Sequence, residues 1–201
     1  TKIINENRAV GSVEPKDLPI WNYDGSSTKQ ADGNDSEVLI KPQVIYMDPF
    51  KKESRLVLCD TYYPNMKPHK TNTRFNAANM FELNNSLKPM FGIEQEFFLQ
   101  KGEQILGFID RNPKEQGDYY CGNGGNNAIG REVVEKALSN CLISKLSITG
   151  LNAEVAPSQW ELQVCAEGIK AGDQLIMLRY ILNRTAEPYG LSINYHPKPA
   201  E

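Results

Sequence analysis

Cysteine is scarce and unpatterned in this sequence. Cys59, Cys121, Cys141 and Cys165 include no CxxC pair and no regular spacing, which argues against a zinc site or a disulfide framework. A reduced, intracellular compartment is the easier reading. No run approaches the roughly 18 apolar residues of a membrane span, so no membrane partner is expected. Charge of one sign is lacking too. A net −3 over 201 residues is too small and too mixed to suggest a nucleic-acid partner or an electrostatic membrane surface. Neither GxxxxGKS/T nor GxGxxG occurs, which excludes an ordinary P-loop or Rossmann site. No internal repeat or low-complexity run is present. The chain opens at Thr1 with no signal-like segment, leaving room for an upstream piece, including any targeting peptide. A cytoplasmic location is expected, with an organelle left open.

What is present is apolar material, 40% of the residues, enough for one large or two small soluble domains with a real core. "WNYDGSSTKQADGNDS" (21–36) reads as a long loop. "EVLIKPQVIYMDPF" and "RLVLCDTYY" have strand composition and flank the turn-like "KKES". The proline-broken stretch 64–74 reads as a linker. "NTRFNAANMFELNNS" is a fair helix. "GREVVEKALSNCLISKL" (130–146) is a strongly amphipathic one, with Val133, Val134, Ala137, Leu138 and Leu142 near one face. "SITGLNAEVAPSQWELQV" gives two strands around a turn, followed by a helix over 171–190 and a last strand in "LSINYHPKP". Strands first, then helices mixed with antiparallel strands, predict an α+β fold.

The chemistry concentrates in acidic pairs. In "MFGIEQEFFLQ" (90–100) a hydrophobic strand carries Glu94 and Glu96, which alternation puts on one face, with Gln95 on the other. An exposed face with ordinary acidic residues is one reading. In "NAEVAPSQWELQ" (152–163), Pro157-Ser158 can centre a tight turn. A two-residue loop there would set Glu154 directly across from Glu161, and Val155 across from Trp160 on the other face. Directly opposed like charges destabilise a hairpin, and this one contains no lysine or arginine to offset them. A divalent cation would do so. Four carboxylates without a Cys/His set are hard oxygen ligands that favour Mg²⁺ or Mn²⁺, and two such ions could hold nucleotide phosphates during phosphoryl transfer. "CGNGGNNAIGR" (121–131) is either a phosphate cradle or a plain flexible loop.

"WNYDGSST", "DPF", "LVLCD", "FGIEQEFFL", "YYCG", "GREVVE", "ITGLNAEVAPSQWELQ" and "EGIKAGDQL" occur in an order and at spacings that resemble glutamine synthetase of the eukaryotic type, from about Leu18 to Pro199. The resemblance implies ATP-dependent joining of ammonia to L-glutamate through a γ-glutamyl phosphate. It implies a β-grasp domain over 1–72 without its first strand, and over 73–201 the first part of a catalytic domain whose antiparallel strands hold the ions. Glu94 and Glu96 match the two glutamates of the family's E-x-E, one at each of two ions, Mg²⁺ or Mn²⁺. Glu154 and Glu161 match the other carboxylates of the ion that Glu96 serves, and Glu94 and Glu161 also lie at the nucleotide. Asp24 matches the aspartate that takes a proton from ammonium, while Ser27 and Tyr120 match residues lining the ammonium site. In the family that aspartate reaches a neighbouring subunit, so a homo-oligomer of stacked rings with intersubunit sites is implied.

There are departures. The family's G-A-G-x-H-x-N segment, which supplies a histidine ligand to the second ion, has no counterpart within these 201 residues, where the end reads "HPKPAE". His69 and His196 match no ligand and read as surface or structural residues. Met90 stands where many relatives have a tryptophan near the adenine, and "QVCAEG" is shorter than the usual segment after the hairpin. The 201 residues alone are expected to be inactive. The rival reading is a non-catalytic, truncated paralogue that binds metal or joins rings.

Overall fold

In the computed structural model, residues 2–5, 13–108 and 119–199 are described. The chain divides into two compact units, Thr1–Pro89 and Met90–Glu201. Both are built of antiparallel strands with few helices, as the α+β expectation requires.

The first unit holds β1 (Lys2–Asn5), β2 (Trp21–Asp24), β3 (Glu37–Met47) and β4 (Ser54–Tyr62), in the order β1-β4-β3-β2. No element was expected at β1. Nor was one expected at β2, which lies within the stretch read as a long loop. Its burial alternates, with Trp21 and Tyr23 half-buried and Asn22 and Asp24 exposed, the period of a strand with one covered face. It pairs with β3 from Trp21↔Ile40 to Asp24↔Glu37. Pro42 lacks a ladder donor, and the β3–β4 register shifts between Pro42 and Val44, where a bulge absorbs the proline. Val38, Tyr46, Leu56, Val57 and Tyr62 form the core.

Residues 64–74, expected as a linker, are tied into this unit. His69 is only 2% exposed, with Nε2 bonded to the Gln30 carbonyl at 2.9 Å and Nδ1 to Thr71 Oγ1 at 2.8 Å. Of the surface or structural roles expected for it, the structural one holds. Asn72 Nδ2 donates to the Thr61 carbonyl at 2.8 Å, and Asn72 Oδ1 accepts from the Phe75 amide, capping α1 (Thr73–Leu83). The Phe75 ring meets Tyr62 edge-on. Packing therefore groups α1 with the first compact unit, Thr1–Pro89.

The second unit is a five-stranded sheet of β5 (Met90–Lys101), β6 (Gln104–Ile105), β7 (Ile148–Ala153), β8 (Gln159–Glu167) and β9 (Ser192–Asn194). Its order is β6-β5-β8-β7, with β9 also on β5. Helix α3 (Ile169–Ala186) covers one face of the sheet and packs on α2 (Arg131–Ile143). The core between them includes Phe97, Trp160, Leu162, Met177, Leu178, Ile181 and Leu182, each 1% exposed or less. The buried face of α2 runs through Val133, Val134, Ala137, Asn140 and Cys141. Leu142, expected on that face, is exposed. A 3.6-residue period carries Ala137 on to Cys141, one residue short of it. Asn140 Nδ2 then donates to Thr185 Oγ1 on α3 at 2.9 Å, a satisfied buried pair.

Candidate metal centre

The β5 strand settles which face its polar residues take. Glu94 and Glu96 are exposed, whereas Gln95 is 8% exposed and lies on the covered face. There Arg179 Nε of α3 donates to Gln95 Oε1 at 2.6 Å, and Gln95 Nε2 donates to the Glu96 carbonyl at 2.6 Å. On the open face the β5–β8 register sets Glu94 opposite Gln163 and Glu96 directly opposite Glu161.

The like-charge opposition inferred from the sequence therefore exists, but between β5 and β8. The β7–β8 register is Leu151↔Leu162, Asn152↔Glu161 and Ala153↔Trp160, so Glu154 does not face Glu161 and Val155 does not face Trp160. Pro157-Ser158 does centre a turn, with the Gln159 amide donating to the Ala156 carbonyl at 3.1 Å and Ser158 at a left-handed φ of 57°. The Glu154 amide donates to the Gln159 carbonyl at 2.8 Å, so Val155 and Ala156 lie in the loop with Pro157 and Ser158. The slip is two residues. Because the pleat has period 2, the slip preserves faces, and Asn152 joins Glu161 on the open one.

Glu154, now in the loop, still reaches the pair. One carboxylate oxygen each from Glu96, Glu154 and Glu161 lies within 4.8 Å of the others. Glu96 is exposed, Glu154 half-buried and Glu161 buried at 5%. Burial raises the pKa of Glu154 above its ordinary value, and the charges of Glu96 and Glu161 add to that. Among the described residues, no lysine or arginine forms an ion pair with any of the three. Three hard oxygens this close, crowded and without a basic partner, fit Mg²⁺ or Mn²⁺ and suit a soft ion poorly.

Tyr120 approaches the same group. The Cys121 amide donates to the Ala153 carbonyl at 2.9 Å, anchoring the loop beside Glu154. The exposed Tyr120 hydroxyl has its pKa raised by Cys121 first, then by Glu154, burial and Glu161. Glu94 stands outside the three-oxygen cluster. Asp24 and Ser27 belong to the first unit. Asp24 ends β2 and caps the 3₁₀ turn Gly25–Thr28, accepting from Ser26 N at 2.9 Å, Ser26 Oγ at 2.6 Å and Ser27 Oγ at 3.5 Å. The Ser26 hydroxyl and amide hold its carboxyl below the usual range. His196 is exposed near the end of the described chain, and its backbone amide donates to Asn194 Oδ1.

Three amides that the acidic pattern of the sequence does not mark complete the site. Gln159 Nε2 donates to Glu96 Oε2 at 2.7 Å, Asn152 Nδ2 to Glu154 Oε1 at 2.9 Å, and Gln163 Nε2 to Glu161 Oε1. Their spacing was the available signal. Gln159 and Gln163 flank Glu161 at two residues on either side, sharing its face.

Against known proteins, the model of the glutamine synthetase catalytic domain matches residues 73–201. The chain is also 48% identical over 197 residues to a glutamine synthetase nodule isozyme of Lupinus angustifolius, covering 92% of this chain and 61% of that one. The chain belongs to the glutamine synthetase family. Glutamine synthetase cytosolic isozyme 1-3 of Arabidopsis thaliana is 46% identical over 93% of this chain and 55% of its own length. The chain thus spans between half and two thirds of the length of the curated relatives it matches. Among solved structures, the GmaS/ADP complex superposes with a TM-score of 0.70 at 18% identity, over 89% of this chain and 42% of that one. At that identity the likeness bears on the fold alone. No helix among the described residues is long and apolar enough to cross a membrane.

Proposed function

We propose that this chain serves the ATP-dependent ligation of ammonia to L-glutamate, giving L-glutamine through γ-glutamyl phosphate. The observation that carries the reading is the convergence of Glu96, Glu154 and Glu161 within 4.8 Å, in a chain 48% identical to a named glutamine synthetase. These three would hold one Mg²⁺ or Mn²⁺, and Glu94 would contribute to a second. When bound, such ions neutralise charge on a phosphoryl group in transfer. Glu94 and Glu161 would border the nucleotide.

Asp24 is ionised at neutral pH because serine donors hold its pKa down, the state needed to accept a proton from ammonium. Tyr120 is protonated at neutral pH because neighbouring negative groups hold its pKa up, so its hydroxyl can line an ammonium site as a neutral partner. Ser27 would line it with Tyr120. Asp24 would act on the site of a neighbouring copy, in a homo-oligomer of stacked rings. A cytoplasmic setting suits the family's cytosolic isozymes. The test is an assay with glutamate, ammonia, ATP and Mg²⁺ on protein of the full family length carrying these residues. Phosphate release that requires both glutamate and ammonia supports the reading, and its absence overturns it.

A further inference from the structure

We infer that Asn152, Gln159 and Gln163 form a collar of neutral amide donors that positions the three carboxylates for a divalent cation, and that Gly150 leaves the room one of those amides needs. This rests on the metal reading above and concerns how the site is held rather than what it holds.

Three crowded carboxylates need something to fix them before an ion arrives. A lysine or arginine would do so at the cost of placing a competing cation in the site. An amide N–H supplies a hydrogen bond with no charge and engages one oxygen, leaving carboxylate lone pairs for an ion. Each of the three has one: Gln159 for Glu96, Asn152 for Glu154 and Gln163 for Glu161. They come from β7, β8 and the edge of the β7–β8 loop, all on the open face.

Gln159 is held at both ends of its carboxamide. It is 6% exposed, and its Oε1 accepts the Ala156 amide at 3.1 Å. A backbone donor thereby fixes which end of the carboxamide is oxygen and turns the NH₂ to Glu96. Ala156 belongs to the loop that carries Glu154, so one glutamine side chain ties that loop to the β5 carboxylate. Gly150 lies directly across from Gln163 in the ladder. A Cβ at 150 would collide with Gln163 Oε1 and sit 2.7 Å from its Cδ, closer than real Cβ atoms come, with Nε2 in a tight 3.3 Å contact. Any side chain there displaces the amide that holds Glu161. Outer partners of this kind commonly change metal affinity by about 10- to 100-fold.

The experiment is Mn²⁺ titration of the purified chain by calorimetry, with the EPR spectrum of the bound ion and a thermal melt beside it. The proteins are wild type, Gln159→Met, Gln163→Met, Gly150→Ala and, as control, Glu161→Gln. The methionines keep side-chain length and remove the N–H. Gly150→Ala keeps the amide and moves it, with only the flexible Gln163 side chain in the way, so the fold survives even if the buried Gln159 variant fails. The expected result is weaker Mn²⁺ binding by about 10- to 100-fold in Gln159→Met and Gln163→Met, an intermediate loss in Gly150→Ala and an altered EPR line shape in all three. Melting temperatures of Gln163→Met and Gly150→Ala stay near wild type. If those two bind as wild type with an unchanged spectrum while Glu161→Gln abolishes binding, the collar is wrong and the site reading stands. If wild type does not bind Mn²⁺, or Glu161→Gln binds it equally well, the site reading fails and takes the collar with it.

Discussion

On the covered face of β5, Gln95 meets a cation, Arg179, at 2.6 Å. On the open face, one residue further, Glu96 meets two more carboxylates. The covered face carries a neutral side chain beneath a guanidinium that also lies over the Tyr195 ring at 5.2 Å. The open face carries concentrated negative charge, with neutral amides donating to it. Arg179 is thus engaged by a glutamine, on the side away from the glutamates. That distribution makes sense if the open face is completed by an ion that is not part of the chain, and it ties the covered face to stability and the open face to binding.

Substitutions on the two faces should separate accordingly. The largest effect on folding is expected from Trp160→Ala, on the covered face, where the side chain is 1% exposed and its Nε1 donates to the Ile129 carbonyl at 2.8 Å. A loss of about 3–5 kcal/mol in denaturant unfolding is predicted. A loss below about 1 kcal/mol would show that this face is not the one that holds the fold. Gln95→Ala comes next, at about 1–3 kcal/mol, because it strips Arg179 of a buried acceptor and frees the Glu96 carbonyl. On the open face the sign reverses. Glu161→Gln in metal-free protein relieves a directly opposed like-charge pair and should stabilise by about 0.2–1 kcal/mol, measured by the same unfolding. Destabilisation there would mean that the opposed carboxylates do not repel each other in the metal-free protein.

The smallest effect is one of pH. The raised pKa of Glu154 means the folded state holds that proton more tightly than the unfolded state. The group's contribution to stability is full below the ordinary glutamate value and is lost as pH rises through the raised one. Metal-free protein should therefore lose stability with rising pH across that window, and Glu154→Gln should flatten the slope. Identical slopes in the two melts would remove Glu154 from the crowded cluster.

The faces of β5 were legible because alternation needs only the local pattern. The hairpin register was not. Pro157-Ser158 marked the turn's centre, but nothing in "NAEVAP" announced that Val155 and Ala156 would lie in the loop, so Glu154 was set opposite the wrong residue and Glu96 was denied its true opponent, Glu161. β2 vanished into the polar composition of 21–36 although Trp21 and Tyr23 alternate as a strand should. Of the two roles expected for His69, surface or structural, the structural one holds, while its segment reads as a linker because prolines mask tertiary contacts. For Gln159 and Gln163 the sequence offers only their i±2 spacing about Glu161, a signal that gains meaning once the carboxylate has been placed.

The most direct measurement is Mn²⁺ titration of Glu154→Ala beside Gln95→Ala, two polar residues bordering Glu96 from opposite faces. Glu154→Ala should weaken Mn²⁺ by more than about tenfold, at least the cost of losing an outer partner, while Gln95→Ala, for all its cost in stability, should bind the ion close to wild type. Equal losses in the two variants would contradict the division between the faces and, with it, the three-carboxylate site.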